Sequence, residues 1–438
     1  MTKLVKATAL ILLICFLFSG CSFRISSSID ELISPISPFG DNADIKKALD
    51  DYATAGYSLK TPAHGNYISS YNFFDFNADK TDEAVAFYEP ADNLGTISMA
   101  VIQKLGDKWT VTDNISGDGK DIYSVDFDDI TGDGKNELLI CWDLIRNSTN
   151  HELSIYSVSF DDSGTKLNKL GNSISINNYI IADLIPGDAS ELLLFELLSG
   201  NSSSAKAELY SVNESSMVLL SDTRLDSHIT SYEEIKLENA ENDLRVYADA
   251  LGSDGSSMLT EVIYWSTTYN SIVSPFYDYS TGQTSDTRRL SMINSSDINN
   301  DSLIEIPTDC DLVSDIPEEI SAVDWLIYKN TTLIHSAYSL LVRSDGYNIV
   351  IPAFLINGAR VLYNSDRSEM TLVNKNTNKT VFSVIPVLKA TFNEGDYPGY
   401  VTVLQDSGYI YLAKQGDDEE LQFTAQDISE NIKAVNIN

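Results

Sequence analysis

The chain has 438 residues, 43% of them hydrophobic and 10% aromatic, so it can bury a large core, and length alone predicts two or three domains. Lys and Arg number 29 against 64 Asp and Glu, a net charge of −35 that repels phosphate backbones and anionic headgroups and argues against a nucleic-acid partner. The same composition excludes wholesale disorder and a polytopic membrane protein.

Lys3 and Lys6 precede an unbroken apolar run from Ala7 to Phe18 that is too short for a permanent membrane span and ends in small residues. This pattern predicts a secretion signal over 1–20. The stretch Leu17-Phe18-Ser19-Gly20-Cys21 resembles a bacterial lipoprotein lipobox. The resemblance implies cleavage before Cys21, acylation of its thiol and anchoring of the mature chain outside the cytoplasm, on the bacterial cell membrane. Two or three acyl chains, at about 0.8 kcal/mol per buried CH₂, make such an anchor essentially permanent. The competing reading is an ordinary secretory signal that happens to end in cysteine.

Residues 21–44 are Ser-rich, carry Pro35 and Pro38 and show no periodicity, so they read as a lipidated tether. Asp44 is placed to cap a short amphipathic helix through Ile45, Leu49 and Tyr52 that ends before Gly56. Beyond it, β-branched and aromatic runs alternate with Asp, Asn, Gly and Ser clusters, the pattern of successive strands.

An internal repeat organises this β-rich text. Asp75-Phe76-Asn77-Ala78-Asp79-Lys80-Thr81-Asp82-Glu83 leads into the apolar run Ala84 to Tyr88, and Asp129-Ile130-Thr131-Gly132-Asp133-Gly134-Lys135-Asn136-Glu137 into Leu138 to Trp142. The starts are 54 residues apart. Another step of 54 reaches Asp183, with Glu191 at the ninth position and Leu192 to Phe195 following, and a further step reaches Leu237. Asp297-Ile298-Asn299-Asn300-Asp301-Ser302-Leu303-Ile304-Glu305 is the last copy. Strand text recurs between the loops, at Ile97 to Leu105, His151 to Phe160, Ala207 to Val212, Leu259 to Trp265 and Val323 to Lys329. Three or four strands per period is the content of a propeller blade, which must stack with neighbours to bury its faces.

These loops resemble FG-GAP/VCBS repeats, the calcium-loop blades of integrin α-type propellers and of bacterial surface proteins. The resemblance implies an all-β fold, a β-propeller of about five blades over 45–341, followed by a small α+β domain over 342–438.

The chemistry follows from the residues themselves. Ca²⁺ is a hard cation that takes six to eight oxygens at about 2.3 to 2.6 Å, and short acidic side chains on alternate positions of a tight loop point at one centre. The predicted ligands are Asp75, Asn77, Asp79, the Thr81 carbonyl and Glu83; Asp129, Thr131, Asp133, the Lys135 carbonyl and Glu137; and Asp297, Asn299, Asp301, the Leu303 carbonyl and Glu305. In each set the ninth-position Glu is expected to close the site, and Gly134 suits the sharp turn in the second loop. The frames at 183 and 237 lack ligands and read as plain turns. An EF-hand or dockerin loop competes, but it requires a following helix and an acid at position twelve.

Catalytic signatures are sparse. His64, His151, His228 and His335 are scattered, with no HExxH, and Ser203 with Lys206 forms an isolated SxxK between two strands. Trp109, Trp142, Trp265 and Trp325 read as fillers of blade interfaces before carbohydrate platforms. Cys141 and Cys310 have no CxxC spacing, and a location outside the cytoplasm permits a disulfide between them.

In the tail, Tyr347 to Pro352, Arg360 to Tyr363, Glu369 to Val373, Val381 to Thr391, Tyr400 to Gln405 and Gly408 to Lys414 read as strands. Thr424 with Asp427 forms a capping box for a helix carrying Ile428, Ile432 and Val435 on one face. Two functions compete. One is a non-catalytic, calcium-stabilised binding or scaffold lipoprotein that engages an envelope protein or polymer; the other is a polysaccharide-active hydrolase or lyase using carboxylates on a propeller face.

Overall fold

The computed structural model describes residues 41–76, 80–145, 148–187, 189–197, 205–213, 216–240, 243–310 and 316–435. The signal, Cys21, most of the tether, Asn77, Asp79 and Ser203 lie outside the described residues. The chain is mostly β, folded into antiparallel sheets taken in sequence order. Sheet I orders Tyr57–Lys60, Glu83–Pro90, Ser98–Leu105 and Lys108–Ser116, with Tyr71–Phe74 also paired to Glu83–Pro90. Sheet II joins Asp121–Asp128, Glu137–Asp143 and His151–Asp161, with Gly164–Lys169 and Ile174–Ile176 along the far side of the last. Sheet III runs Asn178–Ala182, Glu191–Glu196, Lys206–Val212 and Met217–Arg224, and sheet IV runs Ile229–Ala240, Asp243–Gly252, Met258–Ser266 and Ser271–Val273. Sheet V orders Glu305–Asp309, Ile320–Lys329, Thr332–Val342, Tyr347–Ile351 and, from the chain's end, Ile432–Ala434. Sheet VI holds Ala359–Asn364, Glu369–Asn374, Thr380–Leu388, Tyr409–Gln415 and Val401–Gln405.

The sheets stack face to face, which explains why the strands after the acidic loops are apolar on both faces. In Glu137–Asp143, Leu138, Ile140 and Trp142 join the core shared with sheet I, while Leu139 and Cys141 join the core shared with sheet III. In Glu191–Glu196, Leu192 and Leu194 face sheet II, and Leu193 and Phe195 face sheet IV. Each such side chain contributes roughly 1.5 to 3 kcal/mol when fully buried. Tyr247 and Val262 of sheet IV meet Ile306 and Tyr328 of sheet V, and sheet V meets sheet VI through Leu340, Ile349, Leu372 and Phe382.

Helix α1, Asp41–Tyr52, covers the outer face of sheet I, its Ile45 and Leu49 buried on Ala84, Ala86 and Ala100. It starts before the expected cap at Asp44, and Tyr52 is exposed rather than packed. The helix near the C-terminus, Ala425–Asn431, has the expected reciprocal Thr424–Asp427 capping box. It is shorter than expected: Ile432 already belongs to the last strand of sheet V. That strand pairs with Tyr347–Ile351, which itself pairs with Thr332–Val342, so strands on both sides of residue 342 share one sheet.

The repeat also appears in side-chain detail. Trp142 Nε1 donates to Ser154 Oγ at 3.1 Å in sheet II, and Trp325 Nε1 donates to Ser339 Oγ at 2.7 Å in sheet V. In each case the serine sits opposite the residue two before the tryptophan. Trp109 is buried under α1, while half-buried Trp265 packs against the core between sheets III and IV. Cys141 and Cys310 lie in separate clusters as thiols, not as a disulfide. Among the described residues, no helix is long and apolar enough to cross a membrane.

Candidate metal centres in the acidic loops

Two of the loops that carry the predicted ligands connect paired neighbours: Tyr71–Phe74 to Glu83–Pro90 and Asp121–Asp128 to Glu137–Asp143. The loop at 297 enters Glu305–Asp309 and is closed by a bridge between Ser296 and Glu305. Hairpin geometry thus sets the first and ninth positions close together.

All three loops share one backbone device. The sixth position is left-handed in each, with φ of 70° at Lys80, 82° at Gly134 and 71° at Ser302. Its N–H donates to the first-position carboxylate in each: Lys80 to Asp75 at 2.9 Å, Gly134 to Asp129 at 2.8 Å and Ser302 to Asp297 at 2.9 Å. Only glycine adopts this conformation freely, and a side chain there costs roughly 1 to 2 kcal/mol. In the second and third loops the fourth position, Gly132 or Asn300, is also left-handed and donates to the same aspartate. Asp133 and Asp301, at the fifth position, accept the N–H of Lys135 and Leu303, both at 2.8 to 2.9 Å.

Each ninth-position glutamate holds a backbone N–H of its own loop. Glu83 accepts the N–H of Phe76 at 3.0 Å, Glu137 that of Thr131 at 3.1 Å, and Glu305 that of Ile298 at 3.0 Å. Glu191, in the frame that lacks other ligands, accepts from Leu184 and Ile185 at 2.9 and 3.0 Å. All four are buried at the start of their strand. They brace the loop from beneath. Burial, only partly offset by the Thr131 N–H, pushes Glu137 up to about 7, and burial likewise raises Glu191 and Glu305 above the usual carboxylate range.

The frame at 237 begins inside a strand. Leu237 lies in Ile229–Ala240, the long first strand of sheet IV. Its neighbour Glu238 is buried and accepts from Tyr247, Arg245 and the Ile304 N–H, which ties sheet IV to the loop at 297.

The donor set of the second and third loops suits a hard cation. The Thr131 hydroxyl is shielded from solvent, with its side chain beside the Glu137 carboxylate. In the third loop, Asn299 Nδ2 holds Asp301 Oδ2 at 3.1 Å and Glu305 Oε1 at 2.8 Å. Half a turn of that amide puts an oxygen beside two carboxylates, an arrangement that calls for a cation. Among the described residues, no three His, Cys, Asp or Glu side chains converge on one point. The candidate donors are a mixture of carboxylate, amide, hydroxyl and carbonyl oxygens.

Two contacts that the sequence pattern did not reveal brace the third loop. Ser336 donates to Glu305 at 2.9 Å, and Lys433 Nζ donates to the Asp297 carbonyl at 2.9 Å. Gln103 plays a similar part in the first loop, donating to Glu83 while accepting from Thr165 of sheet II.

Elsewhere the fold assembles titratable groups that the sequence scatters. His64 and His151 lie on either side of Tyr123, at 4.5 and 3.9 Å between ring centroids, and His151 Nδ1 bonds Asp143 at 2.6 Å. Burial lowers the His151 pKa in spite of that aspartate. Glu261 is fully buried in sheet IV and engaged by the Asp226 N–H, Ser274 and Thr284; burial raises it to about 7. Arg289 and Asp249 pair at 2.9 Å with both side chains inaccessible, and Ser295 and Thr260 complete the network. These groups pin the segment that wraps sheet IV.

No family model matches the sequence, and no curated protein matches it. Among solved structures, the chain is similar to a hypothetical selenium-binding protein from Sulfolobus tokodaii, at 10% identity and a TM-score of 0.29, over 48% of this chain and 56% of that one. It is also similar to a fructofuranosidase variant from Schwanniomyces occidentalis complexed with fructosylnystose, at 12% identity and a TM-score of 0.27, over 75% of this chain and 63% of that one. The chain thus spans less than two thirds of either structure.

Proposed function

We propose that the protein is an extracytoplasmic, lipid-anchored binding or scaffold module whose stacked sheets are propeller-type blades stabilised by calcium. The observation that carries the calcium reading is the shared device of the three loops: a left-handed sixth position whose N–H fixes the first aspartate, while positions one, three, five and seven offer oxygens. The ion would be held by Asp129, Thr131, Asp133 and the Lys135 carbonyl, by Asp297, Asn299, Asp301 and the Leu303 carbonyl, and by Asp75 with Asn77, Asp79 and the Thr81 carbonyl. Its chemistry is charge neutralisation, which draws clustered carboxylates together at the blade edge. The anchor rests on the lipobox-like segment ending in Cys21. The partner would be an envelope protein or polymer.

Melting the chain in calcium and in excess chelator tests the reading, because an ion that binds only the folded state raises the melting temperature by mass action. Calorimetric titration of Asp133→Ala should lose one calcium site, whereas Asp188→Ala, in the frame that lacks ligands, should keep the parent stoichiometry. Equal melting curves, or equal losses in the two variants, would overturn the calcium assignment. Turnover of polysaccharide by the purified chain would favour the hydrolase or lyase alternative.

A further inference from the structure

A cleft of about 700 Å³ lies between sheets IV and V, closed on one side by the chain's last strand. Its volume falls within the range of about 300 to 1,000 Å³ typical of small-molecule sites. At its wall, Asn348 is 3% exposed, and its Oδ1 has no hydrogen-bond partner. A buried amide oxygen left unpaired is destabilising, so a group that lines a cleft in this condition points to something that enters and pairs with it.

The surroundings specify what that is. Lys433 lies directly opposite Asn348 in the pairing of Ile432–Ala434 with Tyr347–Ile351, so the two side chains share one face of sheet V. Its ammonium, which carries three donors, gives one to the Asp297 carbonyl at 2.9 Å. Across the cleft, Lys236 bonds Glu234 at 2.7 Å and the Ser295 carbonyl at 2.5 Å. Buried Met258 and Ile293 form apolar wall between these polar groups. An occupant must donate to Asn348 and Glu234 yet accept from Lys433. A hydroxyl does both, and it also serves if the Asn348 amide is turned about. The two lysines nearly balance the acids of the lining, in a chain whose net charge is −35, so neither a polyanion nor a polycation is favoured.

We propose that this cleft binds a neutral, hydroxyl-rich small molecule, of which a mono- or disaccharide is the natural class, with Asn348 and Lys433 reading one hydroxyl and Met258 and Ile293 contacting its C–H face. The cleft shares Asp297 and the Lys433 contact with the third loop, so calcium is kept saturating in the test.

The test titrates the mature chain, in saturating calcium, with glucose, N-acetylglucosamine and cellobiose, and with galacturonate and free lysine as charged controls. At least one neutral sugar should bind. Asn348→Leu should weaken it about tenfold, the loss of one buried hydrogen bond of about 1.4 kcal/mol, while the melting temperature holds or rises because an unpaired buried oxygen has been removed. Lys433→Met, which keeps the aliphatic stem, should also weaken binding and serves where the first variant fails to fold. Binding of the charged controls alone, no binding by any neutral sugar, or unchanged affinity in both variants would overturn the assignment.

Discussion

Replacing Glu305 by alanine separates a brace from a metal ligand. The carboxylate accepts from the Ile298 N–H at 3.0 Å, Asn299 Nδ2 at 2.8 Å and Ser336 Oγ at 2.9 Å, and the residue is 0% exposed. Truncation orphans the Ile298 N–H, which lies beneath the loop, and costs about 1 to 3 kcal/mol for each shielded partner left unpaired. Part of that is returned because a carboxylate held above its usual pKa by burial no longer has to be ionised inside. The expected net loss is about 3 kcal/mol. Glu305→Gln keeps an oxygen for Ile298 and should lose only about 1 kcal/mol, and Asp301→Ala, in the exposed part of the loop, should lose less than about 1 kcal/mol without metal. Urea unfolding followed by tryptophan fluorescence, with Trp325 buried in the same sheet, reads the midpoints at constant slope. All three variants are measured in chelator. If Glu305→Ala is then no less stable than Asp301→Ala, and its deficit appears only when calcium is added, the acid is a ligand and the bracing argument is wrong.

Glu261 supplies a pH signature. Its folded value of about 7 lies above the 4.5 of an ordinary glutamate, so as pH rises the unfolded chain releases this proton first. Its contribution to stability is therefore largest below pH 4.5 and falls away, by on the order of 3 kcal/mol, by the time the pH passes 7. Glu261→Gln should flatten the dependence of melting temperature on pH across that window relative to the parent; parallel curves would refute the burial argument. Cys21→Ser should shift the protein from the membrane fraction to the soluble fraction, and continued membrane retention, with no acyl mass on the parent, would refute lipidation.

The strands that follow the acidic loops were legible because both of their faces are buried, which writes an unbroken apolar run such as Leu192 to Phe195 directly after the acid. The first strand of sheet IV was not. Ile229–Ala240 alternates charged and apolar residues, has irregular register at two points and turns back at once into Asp243–Gly252. The 54-residue step therefore lands inside a strand and mimics a loop frame. The loop N–H contacts of the ninth acid were hidden for another reason. Whether a glutamate points outward to an ion or inward to a backbone N–H depends on sheet packing, and the spacing is the same in both cases. The Tyr123 stack, the Ser336 brace and the Asn348–Lys433 pair join residues distant in the chain, with no local pattern to announce them.

The last strand of sheet V has a consequence for how the molecule is made. Sheets III and IV are built from consecutive hairpins, and sheets I and II each from one unbroken stretch of chain, so each can close as soon as its own residues leave the ribosome. Sheet V cannot. Its edge waits for Ile432–Ala434, which follows all of sheet VI in the chain. Until then the faces shared by sheets V and VI, including Leu340, Ile349, Ile428 and Ile432, lack part of their cover. A chain cut short before Ala425 would keep every strand of sheets I to IV and VI but carry sheet V with an open, apolar edge, and such a product is a target for proteolysis and self-association rather than a smaller working protein.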